Sequence, residues 1–152
     1  MSRPHVIWAE DDPDDRLLVE RALRVGGIAF DLRFVGDGME LLGALREAGG
    51  AVDESFRRQV NLVVIDLNMP GMDGRKCLEL KSRDPRLRRI PAIVMTTSGR
   101  QEDIDICYDL GASSYVRKPR TFDQLVDKLR ELSRYWANVS ELPVADTGSR
   151  AG

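Results

Sequence analysis

The chain predicts an α/β domain: a five-stranded parallel sheet in the order 2-1-3-4-5, doubly wound with helices on both faces. Three observations predict it. Short strand-like runs alternate with helical periodicity five times, and βαβ units of that kind wind right-handedly onto a parallel sheet. The run from Asn61 to Asp66 is apolar up to its closing carboxylate, the pattern of a central strand buried on both faces. Chemically reactive side chains fall where strands end: Glu10-Asp11, Asp66, Thr96 and Lys118.

Each element has a local reason. The apolar segment His5 to Ala9 is the first strand. Asp12 before Pro13 supplies an N-cap with proline at the first helical position. Leu17, Leu18, Arg21, Ala22 and Val25 then recur at helical spacing, and Gly26-Gly27 ends the helix. Phe30 to Val35 reads as the second strand. Asp37-Gly38 is the turn before a helix from Met39 to Ala48, stopped by Gly49-Gly50. Ala51 to Gln59 is polar and reads as an extended loop.

After the central strand, Asn68 to Gly71 lead into a helix from about Asp73 to Arg83. Ile90 to Thr96 is the fourth strand, Arg100 to Leu110 the fourth helix, and Ser113 to Arg117 a short fifth strand. The last helix runs from Phe122 to about Asn138. A single domain spanning 4–138 follows, with an aromatic extension to about 143. Residues 144–152 carry no pattern and read as a disordered tail.

Composition excludes several classes. With 23 basic and 25 acidic side chains the formal charge is -2, so no basic excess marks nucleic acid or an anionic membrane surface as a partner. No apolar stretch approaches the ~18 residues of a membrane span, and no signal-peptide pattern opens the chain, so a cytoplasmic protein is expected. Cys77 and Cys107 sit in amphipathic helices without metal or redox spacing and read as reduced thiols. No Gly-x-Gly-x-x-Gly follows a strand, which disfavours a dinucleotide site.

In an open parallel sheet the carboxyl ends of the strands share one edge, and order 2-1-3-4-5 sets strands 1 and 3 side by side there. Three carboxylates, a hydroxyl and an ammonium group meet on that edge. The set suits a magnesium ion, a carboxylate nucleophile and a phosphoryl group. Magnesium takes hard oxygen ligands, keeps several waters and needs only one or two carboxylates. Clustered carboxylates repel one another, and a divalent cation relieves the repulsion.

The segments Ala9-Glu10-Asp11-Asp12-Pro13, Asp66 to Gly74, Met95-Thr96-Thr97 and Lys118-Pro119 together resemble the receiver domain of two-component response regulators. The resemblance spans about residues 4–134 and implies a flavodoxin-like receiver fold. It implies that Asp66 accepts a phosphoryl group from a sensor histidine kinase. Asp11 then holds Mg²⁺ directly and Glu10 through a water, with Asp66 and the backbone carbonyl of Asn68 as further oxygens. Lys118 and Thr96 serve the phosphoryl group, and Thr96 with Tyr115 forms the switch. Asn68 and Ser98 flank the water approach, and Lys118-Pro119 is a cis-peptide candidate. Such a protein catalyses only its own phosphorylation and dephosphorylation.

Three departures narrow the resemblance. Asp11 and Asp66 are farther apart than is usual, with 51–59 absorbing the excess. Arg120 stands where an apolar residue is common. The last helix runs on into Arg134-Tyr135-Trp136-Ala137-Asn138-Val139. The long loop and aromatic tail resemble the stand-alone receivers of bacterial phytochrome kinases, with a histidine phosphotransfer protein as a further candidate partner. Tyr135 and Trp136 are read as docking on a second subunit, giving a homodimer. Two rivals stand beside this reading. A degenerate receiver would act as a phosphorylation-independent interaction module. An Asp-x-Asp phosphohydrolase is opposed by Asn68, which stands where that chemistry needs its second aspartate.

Overall fold

The structure is a computed structural model, and it describes residues 3–46, 60–69 and 73–143. The 51–59 loop and the 144–152 tail lie outside the described residues, as do the ends of the glycine-stopped second helix and of the Asn68–Gly71 turn. Five parallel strands form one sheet in the order β2-β1-β3-β4-β5. They are β1 (His5–Ala9), β2 (Asp31–Val35), β3 (Val60–Ile65), β4 (Ala92–Thr96) and β5 (Ser114–Arg117). The helices are α1 (Pro13–Val25), α2 (Gly38–Arg46), α3 (Gly74–Arg83), α4 (Gln101–Asp109) and α5 (Phe122–Ser133). This is the flavodoxin-like receiver fold. Among the described residues no helix is long and apolar enough to cross a membrane.

Strand alternation divides the core. Ile7, Ala9, Val63, Ile65 and Val94 face α2, α3 and α4, packing with Leu41, Leu45, Cys77, Leu78 and Cys107. Val6, Trp8, Leu62, Val64, Ile93 and Met95 face α1 and α5, packing with Val19, Leu23, Val126 and Leu129. Fully burying each large apolar side chain of this set is worth about 1.5–3 kcal/mol. β1, β3 and β4 are buried on both faces, which is why they read as unbroken apolar runs.

Local signals hold where caps are explicit. The Asp12 carboxylate accepts from the Asp14 backbone N–H with Pro13 in the first turn. Gly27 takes φ +63 just past α1, a left-handed turn that glycine adopts without strain. Asp73 and Thr121 cap α3 and α5 in the same way.

Two expectations fail. No cis peptide occurs among the described residues, so Lys118–Pro119 is trans, the isomer that X–Pro bonds favour by about 0.5–1 kcal/mol. The last helix does not stay α-helical to Asn138. From Arg134 to Val139 it widens into a π-helix, and Ser140 N–H donates to the Tyr135 carbonyl at 2.7 Å. The wider turn brings Trp136 back onto its own domain. Trp136 is buried, packed in the α1/α5 core with Leu142 against the same cluster. It therefore does not dock on a second subunit; Tyr135 alone of the pair stays exposed.

Candidate functional site

The backbone ladder sets the site before any side chain is placed. Asp66 N–H donates to Ala9 O at 3.3 Å, so the residue after β3 lies beside the end of β1. Lys118 N–H donates to Thr96 O at 2.7 Å, joining the ends of β4 and β5. Glu10 N–H reaches back to Val35 O at 2.9 Å, which turns the chain inward after β1. Four residues that the sequence separates by up to 108 positions thus share one sheet edge.

Lys118 is the hub. Its ammonium donates to Asp66 Oδ2 at 2.6 Å and to Glu10 Oε1 at 3.0 Å. Both carboxylates are almost wholly buried, which costs heavily without a paired charge. Burial raises the Glu10 pKa, and the lysine beside it works in the opposite direction. For Lys118 burial alone would favour the neutral amine. The hydrogen bonds to Asp66 and Glu10 outweigh it and hold the group firmly protonated.

The remaining lone pairs are partly used. Asn68 N–H donates to Asp66 Oδ1 at 3.0 Å, so Asp66 is gripped on both oxygens. Asp12 N–H donates to Glu10 Oε2 at 3.3 Å. Asn68 Nδ2 donates to Thr96 Oγ1 at 3.4 Å, which turns the fully buried threonine hydroxyl toward the loop after Asp66. The Tyr115 hydroxyl donates to Ser98 O at 2.9 Å, and its ring packs on the core. Burial raises the Tyr115 pKa, so this phenol stays protonated and a donor.

The sequence-predicted residues Glu10, Asp66 and Lys118 are therefore in direct contact, and Thr96 joins them through Asn68. Asp11 is on the same edge, but its side chain is exposed. Among the described residues no three His, Cys, Asp or Glu side chains already form a metal cage. A site of buried carboxylates held together by one ammonium group suits a cation that keeps its waters and recruits few protein ligands, as Mg²⁺ does.

Two contributors carried too weak a sequence signal. Asp15 reads as helix-start surface charge, yet its Oδ2 lies 3.6 Å from Lys118 Nζ. Its position in the first turn of α1, just past the end of β1, was the available clue. Arg16 donates through Nε to the Glu10 carbonyl at 2.7 Å and lies over the Phe34 ring, bracing the Glu10 turn. Beside the acid site, a crevice of about 140 Å³ is walled by Trp8, Leu18, Met95 and Phe122, with Glu10 and Lys118 at its edge.

A parallel 2-1-3-4-5 sheet with a lysine-neutralised pair of carboxylates at its switch point defines a class, and the chain belongs to it: the response regulator receiver domain family is matched over residues 6–130. The chain is 30% identical over 140 residues to response regulator Rcp1 of Synechocystis sp., covering 92% of this chain and 93% of that protein. The solved Mn²⁺-bound form of Rcp1 superposes with a TM-score of 0.79 at 29% identity, covering 91% of this chain and 98% of that one. The phosphorylated cyanobacterial phytochrome response regulator RcpA gives 0.82 at 32% identity, over 93% and 99% of the two chains. The response regulator RPA3017, in red light signalling of R. palustris, gives 0.87 at 32% identity over the same shares.

Proposed function

We propose that this receiver domain takes a phosphoryl group onto Asp66 from a phosphohistidine of a sensor kinase, with Mg²⁺ bound, and signals through protein contacts. The observation that carries this reading is the buried Asp66 carboxylate, held on one oxygen by Asn68 N–H and on the other by Lys118. A carboxylate oxygen attacks phosphorus as the phosphorus–nitrogen bond breaks, and the departing imidazole nitrogen keeps the bonding pair and takes up a proton. The product is an aspartyl phosphate. Lys118 already stands 2.6 Å from Asp66 Oδ2, placed to follow the charge onto the phosphoryl oxygens without solvent reorganisation.

Asp11, Glu10, Asp66 and the Asn68 carbonyl would hold the magnesium ion, which supplies charge neutralisation to the incoming phosphoryl group. The Mn²⁺ in the Rcp1 structure supports a divalent ion in this chain too. Thr96, buried and turned to the Asn68 side chain, is placed to donate to a new phosphoryl oxygen. Its movement would be read by Tyr115 through the β4–α4 loop. The phytochrome-associated relatives support a phytochrome-type kinase as the partner. A histidine phosphotransfer protein and a homodimer in the cytoplasm complete the proposal.

Intact-mass spectrometry after incubation with Mg²⁺ and either phosphoramidate or acetyl phosphate tests it, using wild type and Asp66→Asn. One phosphoryl group gained only with Mg²⁺, and only by wild type, is the expected result. No gain from either phosphoramidate or acetyl phosphate would instead favour a phosphorylation-independent interaction module.

A further inference from the structure

We propose that Asp103 is a positioning residue for the phosphoryl site: bridging Arg75 and Ser98, it fixes the β4–α4 loop with Thr96 facing Asn68 and Tyr115 engaged. This role rests on Asp66 being the phosphoacceptor.

Both Asp103 oxygens are used, and they reach two different elements. Oδ1 accepts from the Arg75 guanidinium at 3.0 Å, and Oδ2 accepts from the Ser98 hydroxyl at 2.5 Å. Arg75 opens α3, the helix that follows the phosphoacceptor loop, and Asp73 at the helix cap accepts from its backbone N–H at 2.8 Å. Ser98 lies two residues beyond Thr96. Its hydroxyl also accepts from Arg100 N–H at 3.3 Å, and its carbonyl receives the Tyr115 hydroxyl at 2.9 Å. One carboxylate thus ties the helix after Asp66 to the loop after Thr96, and that loop in turn holds Tyr115.

The tie is built rather than incidental. The Ser98 and Arg75 donors hold the Asp103 carboxyl below the usual range, so it stays ionised. Charge-assisted bonds of this kind are shorter and stronger than neutral ones. Across the loop, the Arg117 guanidinium lies against Gly99. The loop is therefore held from α4 by Asp103 and from β5 by the Tyr115 hydroxyl. No helix-cap side chain takes this role, because α4 has no side-chain cap of its own.

The loop stands in a fixed position before any phosphoryl group is present, and that preorganisation raises the fraction of molecules competent for transfer. Losing both ties of the carboxylate lowers that fraction, and with it the rate at sub-saturating donor, by about three- to tenfold.

The test measures initial phosphorylation rates with phosphoramidate and Mg²⁺ for wild type, Asp103→Ala and Asp103→Asn. In the unmodified proteins it also follows the Tyr115 ring Cζ resonance, assigned with Tyr115→Phe. Asp103→Ala is expected to slow phosphorylation three- to tenfold and to shift the Tyr115 resonance. Asp103→Asn, which keeps an acceptor for Ser98, is expected to restore the resonance and most of the rate. In Asp103→Ala, an unchanged or faster rate, or a Tyr115 signal identical to wild type, overturns the role. If wild type takes up no phosphoryl group, the Asp66 reading fails instead, and the Tyr115 resonance alone then decides whether Asp103 holds the loop.

Discussion

The Lys118 ammonium lies 2.6 Å from Asp66 Oδ2, and the same nitrogen reaches Glu10 at 3.0 Å, so one lysine neutralises both buried carboxylates of the site. Removing it leaves two buried charges that repel. Lys118→Met is expected to lower metal-free stability by about 3 kcal/mol, read by urea unfolding. The same change removes a competing cation, so Mg²⁺ should bind about tenfold tighter and restore more stability than it does in wild type. Asp11→Asn should do the reverse. Its exposed side chain leaves metal-free stability within about 0.5 kcal/mol, while most of the Mg²⁺ response disappears. Trp8, which shares a crevice with Glu10 and Lys118, reports both titrations by fluorescence in a Trp136→Phe background.

Gly74 is required by close approach. A Cβ there would stand 2.8 Å from the Asp66 carbonyl and 3.0 Å from Leu67 Cα, both of them backbone atoms. Gly74→Ala must push α3 away from the loop that carries Asp66. The expected cost is about 1–3 kcal/mol in unfolding free energy, with slower phosphorylation of Asp66 in the same preparation.

Trp136 and Tyr135 are adjacent, with ring centroids 5.0 Å apart, but their surroundings differ. Trp136 is in the core and Tyr135 is half exposed. Trp136→Ala should destabilise the protein by about 3–5 kcal/mol, seen as a lower urea midpoint at any protein concentration. Tyr135→Ala should change the stability of a monomer by no more than about 0.5 kcal/mol. A concentration-dependent loss for Tyr135→Ala would place it in a subunit interface.

Lys81 is buried in α3, donates to the Ile90 carbonyl, and is pushed down to about 8 from 10.5 by burial. The unfolded chain therefore holds more protons than the folded one between those values. Stability rises with pH through that window as the buried charge is released, by on the order of 3 kcal/mol in total. The neighbouring Cys77 thiol, raised to about 12 by burial, works the other way above its usual value. Urea unfolding of wild type minus Lys81→Met, from pH 7 to 10.5, isolates the lysine. The difference should climb with pH, and a flat difference would show that Lys81 is solvated.

Much of this was legible in the chain because it is written locally. The Asp12-Pro13 cap, the Gly26-Gly27 stop and the apolar β3 run each depend on neighbours within a few residues, and each forms as read. The strand-end position of Glu10, Asp66, Thr96 and Lys118 follows from counting alternation. The end of the last helix was not legible, because the π turn goes with the packing of Trp136 on the α1/α5 core, a contact with residues far away in the chain. Asp15 and Asp103 are first-turn acids of the kind helix dipoles favour, and only packing sets Lys118 beside one and Arg75 and Ser98 beside the other.

By itself the sequence determined the receiver fold, the edge on which the reactive groups gather and their identities, since hydrophobic period and strand order are properties of the chain. Only the tertiary structure decided which charges touch: Lys118 pairing at once with Asp66 and Glu10, Asp103 spanning α3 and the β4–α4 loop, and Trp136 closing onto its own core. Those pairings join residues far apart along the chain. Burial and paired charge, acting across the folded domain, select them.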